Sequence, residues 1–122
     1  MDGSNVIERN AFLRSRGLKI PKHPELTTGR VRASLKEGTY ERKECDAVMR
    51  VVREGDTVLE LGGGMGYMST LLAVKKKVAK VVTYEANPGL IDYIKSVHAA
   101  NDNASALNLP ATQAVTELPD PV

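Results

Sequence analysis

Apolar positions recur in two alternating rhythms between residues 40 and 100, and together they predict a helix–strand–helix–strand–helix order. Cys45, Val48, Met49 and Val52 fall at i, i+3, i+4 and i+7, one buried stripe of a helix expected over Tyr40–Arg53. Thr39 is its expected cap, Glu41 lies in its first turn and Gly55 ends it. Thr57–Leu61 then reads as a short strand, with Val58, Leu59 and Leu61 suited to a covered parallel sheet. A second helix is expected from about Gly66, with Met68, Leu71 and Leu72 on its apolar face. Lys75, Lys76 and Lys77 crowd its last turn, where cations complement the backbone dipole. Val78–Tyr84 is the second predicted strand. Asn87-Pro88 opens a third helix, an Asn cap followed by the residue best suited to the first helical position. Leu90, Ile91, Ile94, Val97 and His98 continue it at helical spacing.

The flanks are less patterned. Residues 1–28 are polar and interrupted by Gly17, Pro21 and Pro24, so a short helix over Val6–Arg14 and a loop are expected there. Beyond Ala100 the periodicity fades, leaving one weak strand around Ser105–Leu109. The expected architecture is α/β: a partial Rossmann-like parallel sheet with flanking helices and an N-terminal helical arm. Residues 1–38 form the arm and residues 39–122 the ligand-binding unit.

Composition narrows the function classes. The net charge of +2 is too small to argue for nucleic acid or an anionic membrane as partner. One Phe, no Trp and four scattered Tyr give no platform for stacking bases. The apolar runs fall well short of the ~20 residues that span a bilayer. A single cysteine excludes an internal disulfide and fits a reducing compartment. Asp2 and Glu8 interrupt any secretion signal, so a cytoplasmic protein is expected. Cys45 lies in the helical stripe and reads as core. His23, between Lys22 and Pro24, lacks the converging donors a metal site needs, so no metal is expected.

The chemistry concentrates in Glu60-Leu61-Gly62-Gly63-Gly64-Met65-Gly66, an acid followed by glycines in a strand-to-helix turn. Glycines allow backbone conformations barred to other residues and let a ligand lie against bare peptide. The N–H groups that begin the following helix attract an anionic group such as a carboxylate. Glu60 could hold a cationic part of the same ligand. Glu85 ends the second predicted strand 19 positions after Gly66, where a carboxylate accepts hydrogen bonds from ribose hydroxyls. The dinucleotide fingerprint would require glycine at position 67, which is Tyr67. The third glycine comes one position early. A sulfonium nucleoside, S-adenosylmethionine, needs no pyrophosphate seat, and an acid before the turn suits its ammonium group while repelling a pyrophosphate.

The segments GDTVLELGGGMGYMSTLL and VVTYEANPGLIDYIKSVHAAND, with the lead-in Gly38-Thr39-Tyr40-Glu41, resemble class I S-adenosylmethionine-dependent methyltransferases of the FkbM type. The resemblance implies cofactor contacts at Glu60, Gly62, Gly64 and Gly66, with Gly63 completing the turn. It implies Glu85 on the ribose, Ala86 and Asn87 beside the adenine, and Tyr40 near the methionine end. It further implies methylation of hydroxyl groups on sugars or other small molecules, though no base for the acceptor is identifiable. Full members carry a larger sheet, whereas 22 residues follow Ala100 here, so a truncated version of that fold is expected. Two alternatives stay open. One is a non-catalytic remnant that self-associates, or meets a complementing chain, through an exposed sheet edge. The other is a nicotinamide-nucleotide-binding fragment.

Overall fold

The first described element is a β-hairpin. The computed structural model describes residues 11–101 and the backbone of 113–114. Strand β1 (Phe12–Ser15) pairs antiparallel with β2 (Leu18–Pro21), Leu13 opposite Ile20 and Ser15 opposite Leu18. Those four residues share one face and are buried. Arg16 and Gly17 between them both have positive φ, 49° and 81°, as a two-residue hairpin turn matched to strand twist requires. The hairpin overturns the helical arm expected from the sequence: Phe12–Arg14, the described end of the Val6–Arg14 helix, is strand. Alternation of period two across Leu13, Ser15, Leu18 and Ile20, broken by Arg-Gly, is the local reason.

Helix α1 (Gly29–Glu37) was not anticipated. It ends where Gly38 turns left-handed at φ 75°, its N–H bonded to Leu35 O and that of Thr39 to Ser34 O, a glycine-dependent helix exit. Thr39 therefore serves this exit and does not cap the next helix. Helix α2 (Arg42–Val51) begins two residues later than expected, after Glu41 at φ 47°. It stops before Arg53, because the Arg53 N–H donates to the Asp56 carboxylate at 2.8 Å and the chain turns there. Cys45 is fully buried, as the helical stripe predicts.

Strand β3 (Thr57–Leu61) matches its predicted bounds. It pairs in parallel with β4 (Lys80–Glu85), Glu60 opposite Thr83 and Leu61 opposite Tyr84. Between them lies α3 (Tyr67–Leu71), which widens into a π-helical turn at Leu72–Lys76. Lys77, at φ 52°, ends the segment. Helix α4 (Pro88–Ala100) opens as predicted, with Asn87 Oδ1 accepting from the Gly89 N–H at 2.9 Å. The backbone of β5 (Gln113–Ala114) extends the sheet from β4, again in parallel, in the order β3-β4-β5. The strand expected at Ser105–Leu109 lies outside the described residues.

The parallel sheet is covered on one face. Val81 and Thr83 are buried beneath the helices, but Leu59 and Leu61 are 63% and 65% exposed. The expectation of a strand covered on both sides fails for β3.

The hairpin is fastened to α4 by polar bonds as well as apolar contact. The Asn101 side chain accepts from the Lys19 N–H at 3.0 Å and donates to Lys19 O at 3.0 Å and Val97 O at 2.8 Å. An amide side chain thus stands in for a neighbouring strand. The Tyr93 hydroxyl donates to Pro21 O at 2.7 Å, and Ser15 Oγ meets the Tyr67 hydroxyl at 2.8 Å. Leu13, Leu18, Ile20, Leu35, Tyr67 and Val97 close the main core between these elements. Among the described residues, no helix is long and apolar enough to cross a membrane.

Candidate functional site

The glycine turn leaves the carboxyl end of β3 and packs inward and outward with different glycines. A Cβ at Gly63 would lie 2.5 Å from Thr83 Oγ1, and one at Gly66 would lie 3.2 Å from Ile94 Cγ2 and 3.3 Å from its Cα. These two positions let the turn approach β4 and α4. Gly62 and Gly64 have positive φ, 82° and 57°, and a Cβ at either would meet nothing within 4 Å. They present bare backbone to open space, which is the cradle a flat ligand needs.

Both acids singled out from the sequence lie at this turn. Glu85, the last residue of β4, accepts from the Gly64 N–H through Oε1 at 2.8 Å and from the Asn87 N–H through Oε2 at 2.9 Å. Its carboxylate is therefore folded onto the glycine turn. Glu60 accepts from the Thr83 hydroxyl at 2.5 Å. Burial pushes its carboxyl up to about 7, against the Thr83 bond, with Glu41 and Glu85 adding to the rise. Near neutral pH the Glu60 charge is thus poised, and a cation beside it would favour the ionised form.

Tyr40 reaches the same turn from the other side. Its hydroxyl donates to Met65 Sδ at 3.5 Å, and its ring meets Tyr67 edge-on at 5.2 Å between centroids. Burial, reinforced by Glu41, raises its hydroxyl to about 12, so it stays protonated. With the Ser15–Tyr67 bond, these contacts run from the hairpin to the glycine turn. Asn87 caps α4 and orients Glu85 through its N–H, while Ala86 is exposed beside them. Thr83 and Met65 were not anticipated as site residues. The parallel register that sets Thr83 opposite Glu60 was the available signal for the first. Glu41, exposed and in a left-handed conformation, was read only as a first-turn acid.

His98 stands away from the turn in the core, 3% exposed. The Ser69 hydroxyl donates to Gly66 O at 3.1 Å, which leaves its oxygen to accept from His98 Nε2 at 2.8 Å. Nδ1 is buried and has no hydrogen-bond partner among the described residues. Burial lowers this imidazole to about 4. The pair ties α3 to α4 and does not face the open side of the turn.

No protein-family profile matches the chain, and no curated protein matches it. Solved structures do. Trm5b from Pyrococcus abyssi superposes with a TM-score of 0.61 at 21% identity, over 85% of this chain and 27% of that one. PH0793 from Pyrococcus horikoshii, provisionally described as a transferase, superposes at 0.57 and 18% identity, over 82% of this chain and 33% of that one. The chain spans about a quarter to a third of the length of the structures it matches. At these identities the likeness establishes the fold alone, a mixed α/β arrangement.

Substituting the inward glycine should harm the fold more than substituting the outward one. Gly63→Ala must displace Thr83 and, through it, Glu60, so a loss of about 2–4 kcal/mol is expected in urea unfolding. Gly64→Ala meets only the backbone penalty of a positive φ, about 1–2 kcal/mol. Equal losses would mean that the turn does not pack as described.

The titrations of Glu60 and His98 oppose each other. Glu60 has a folded value raised from 4.5 to about 7, so its contribution is fully present below 4.5 and is lost as pH rises through 7. His98 has a folded value lowered from 6.5 to about 4. Its contribution is present above 6.5 and is lost as pH falls through 4. Melting temperatures of Glu60→Gln and the parent chain between pH 4.5 and 8 should therefore diverge, the variant gaining relative stability as pH rises. Parallel curves would contradict the assigned burial of Glu60.

Proposed function

We propose that the glycine turn binds S-adenosylmethionine and that this chain is the cofactor-binding half of an O-methyltransferase acting on small-molecule or sugar hydroxyls. The observation that carries the reading is the Glu85 carboxylate drawn onto a turn whose Gly62 and Gly64 backbone faces open space. Both carboxylate oxygens are fixed by backbone N–H groups, and each keeps a lone pair for a vicinal diol. Glu60 lies deeper, beside Thr83, where an ionised carboxylate suits an ammonium group. Tyr40 and Met65 flank the turn on the side from which the methionine end would enter. Ala86 and Asn87, after β4, are the adenine side.

The reading draws on the fold shared with Trm5b and PH0793 and on the resemblance of the sequence to the FkbM type. The cofactor supplies an electrophilic methyl group. The residues described here bind and orient it, and orientation with fixed charges is the larger part of such catalysis.

Calorimetry with S-adenosylhomocysteine should give measurable heat for the intact chain. Glu85→Ala should weaken binding about tenfold or more, the value of losing charge-assisted hydrogen bonds to a diol. No heat at millimolar ligand removes the proposal.

A second reading is favoured by a different observation. Leu59 and Leu61 expose an apolar face on β3, an edge strand among the described residues, the feature through which sheets pair with other chains. On that reading the chain is a non-catalytic module that self-associates. Light scattering should then give a dimer that Leu59→Lys converts to monomer. A parent chain already monodisperse as a monomer excludes it.

A further inference from the structure

We propose that Thr83 is a positioning residue of this site: its hydroxyl, packed against Gly63, aims the Glu60 carboxylate and favours the anionic form that a ligand's ammonium group needs. The inference rests on the cofactor reading above and adds how the deeper acid is prepared for its ligand.

Parallel pairing sets Glu60 opposite Thr83 on the helix-covered face of the sheet, where Thr83 is 1% exposed. The turn is pinned over that pair. The N–H groups of Gly62 and Gly63 both donate to Tyr84 O at 2.9 Å, and that of Gly66 donates to Gly63 O at 2.9 Å. Gly63 thereby lies so close that a Cβ there would come within 2.5 Å of Thr83 Oγ1 and 3.5 Å of Glu60 Oε1. A β-branched side chain confined by such a contact has little freedom to turn its hydroxyl elsewhere. The hydroxyl donates to Glu60 Oε1 at 2.5 Å, and Oε2 has no hydrogen-bond partner among the described residues. One oxygen of the carboxylate is thus fixed and the other is left for a ligand.

The charges around Glu60 make that bond matter. Burial works against its ionisation, and so do Glu41, from the segment before α2, and Glu85, from the end of β4. At the turn, α4 contributes the apolar Ile94. Among these influences the Thr83 hydroxyl alone favours the anion. A neutral donor steadies the carboxylate without neutralising it, so the charge stays available to a cation. The ammonium-bearing ligand takes the ionised form. Its binding therefore strengthens as pH rises through the carboxyl's folded value of about 7.

Calorimetry on the intact chain with S-adenosylhomocysteine and with adenosine, from about pH 6 to about pH 8, tests this. Adenosine lacks the ammonium group and reports the rest of the site. The parent chain should bind S-adenosylhomocysteine about tenfold more tightly at the upper pH than at the lower, and adenosine within about twofold. Thr83→Val keeps the shape and removes the donor. It should raise the midpoint of the S-adenosylhomocysteine profile by about one pH unit and weaken that ligand about fivefold near neutral pH, with adenosine within about twofold of the parent. Thr83→Ser, which retains the donor, should keep the parent midpoint. A Thr83→Val midpoint equal to the parent's overturns the inference and leaves the cofactor reading standing. So does a parent profile that is flat with pH, or an equal loss for both ligands in Thr83→Val, the mark of a structural role. Binding of neither ligand by the parent removes the function proposed above, and this inference with it. Should Thr83→Val fail to fold, as judged by circular dichroism, Thr83→Ala takes its place against Thr83→Ser, with the same expected shift.

Discussion

Close approach of backbone at Gly63 and Gly66 is the constraint on which the rest of the structure turns. At Gly63 the peptide runs against the Thr83 hydroxyl of β4, and at Gly66 against the Ile94 backbone of α4. Because the turn can come so near, β4 and α4 close around it. Thr83 can then bond Glu60, and Glu85 can fold back onto Gly64. Any side chain at either position would push apart the three elements whose junction forms the site.

The junction also sorts charge. Helix termini and glycine turns usually offer positive potential, but here acids converge on the turn and its glycine N–H groups are consumed internally. The local field therefore favours a ligand that brings cationic or hydroxyl groups. The two acids are held differently: desolvation raises the Glu60 carboxyl to about 7, and Glu85 is bonded by the Gly64 and Asn87 N–H groups. Two carboxylates at one bend thus perform distinct electrostatic tasks.

Much of the central βαβα order was legible in the residues. Val58 and Leu61 bracket a strand correctly, and Asn87-Pro88 fixes the start of α4 because capping chemistry is local. Glu60 and Glu85 could be placed at strand ends for the same reason. The hairpin escaped because a helix was expected over Val6–Arg14 and the two-residue alternation after it was not weighed. Its stability comes from Asn101, 82 positions from Lys19, and from Tyr93 and Tyr67, contacts that no local pattern reveals. Helix α1 escaped because Leu35 alone is buried along it, too thin a stripe to detect. The exposure of Leu59 and Leu61 could not be read either, since their apolar character is identical whether a face is covered or bare. Equally, which glycines face inward depends on Ile94 and Thr83 arriving from later elements.

The Asn101 amide has a bearing on synthesis of the chain. The hairpin is made first, yet its edge at Lys19 is completed by a residue translated more than eighty codons later. Until that asparagine has left the ribosome its three bonds to Lys19 and Val97 are unmade, although Leu35 and Tyr67 of the same apolar core come earlier in the chain. The described unit therefore closes through a contact of large sequence separation, the kind of contact that slows folding relative to local helix formation.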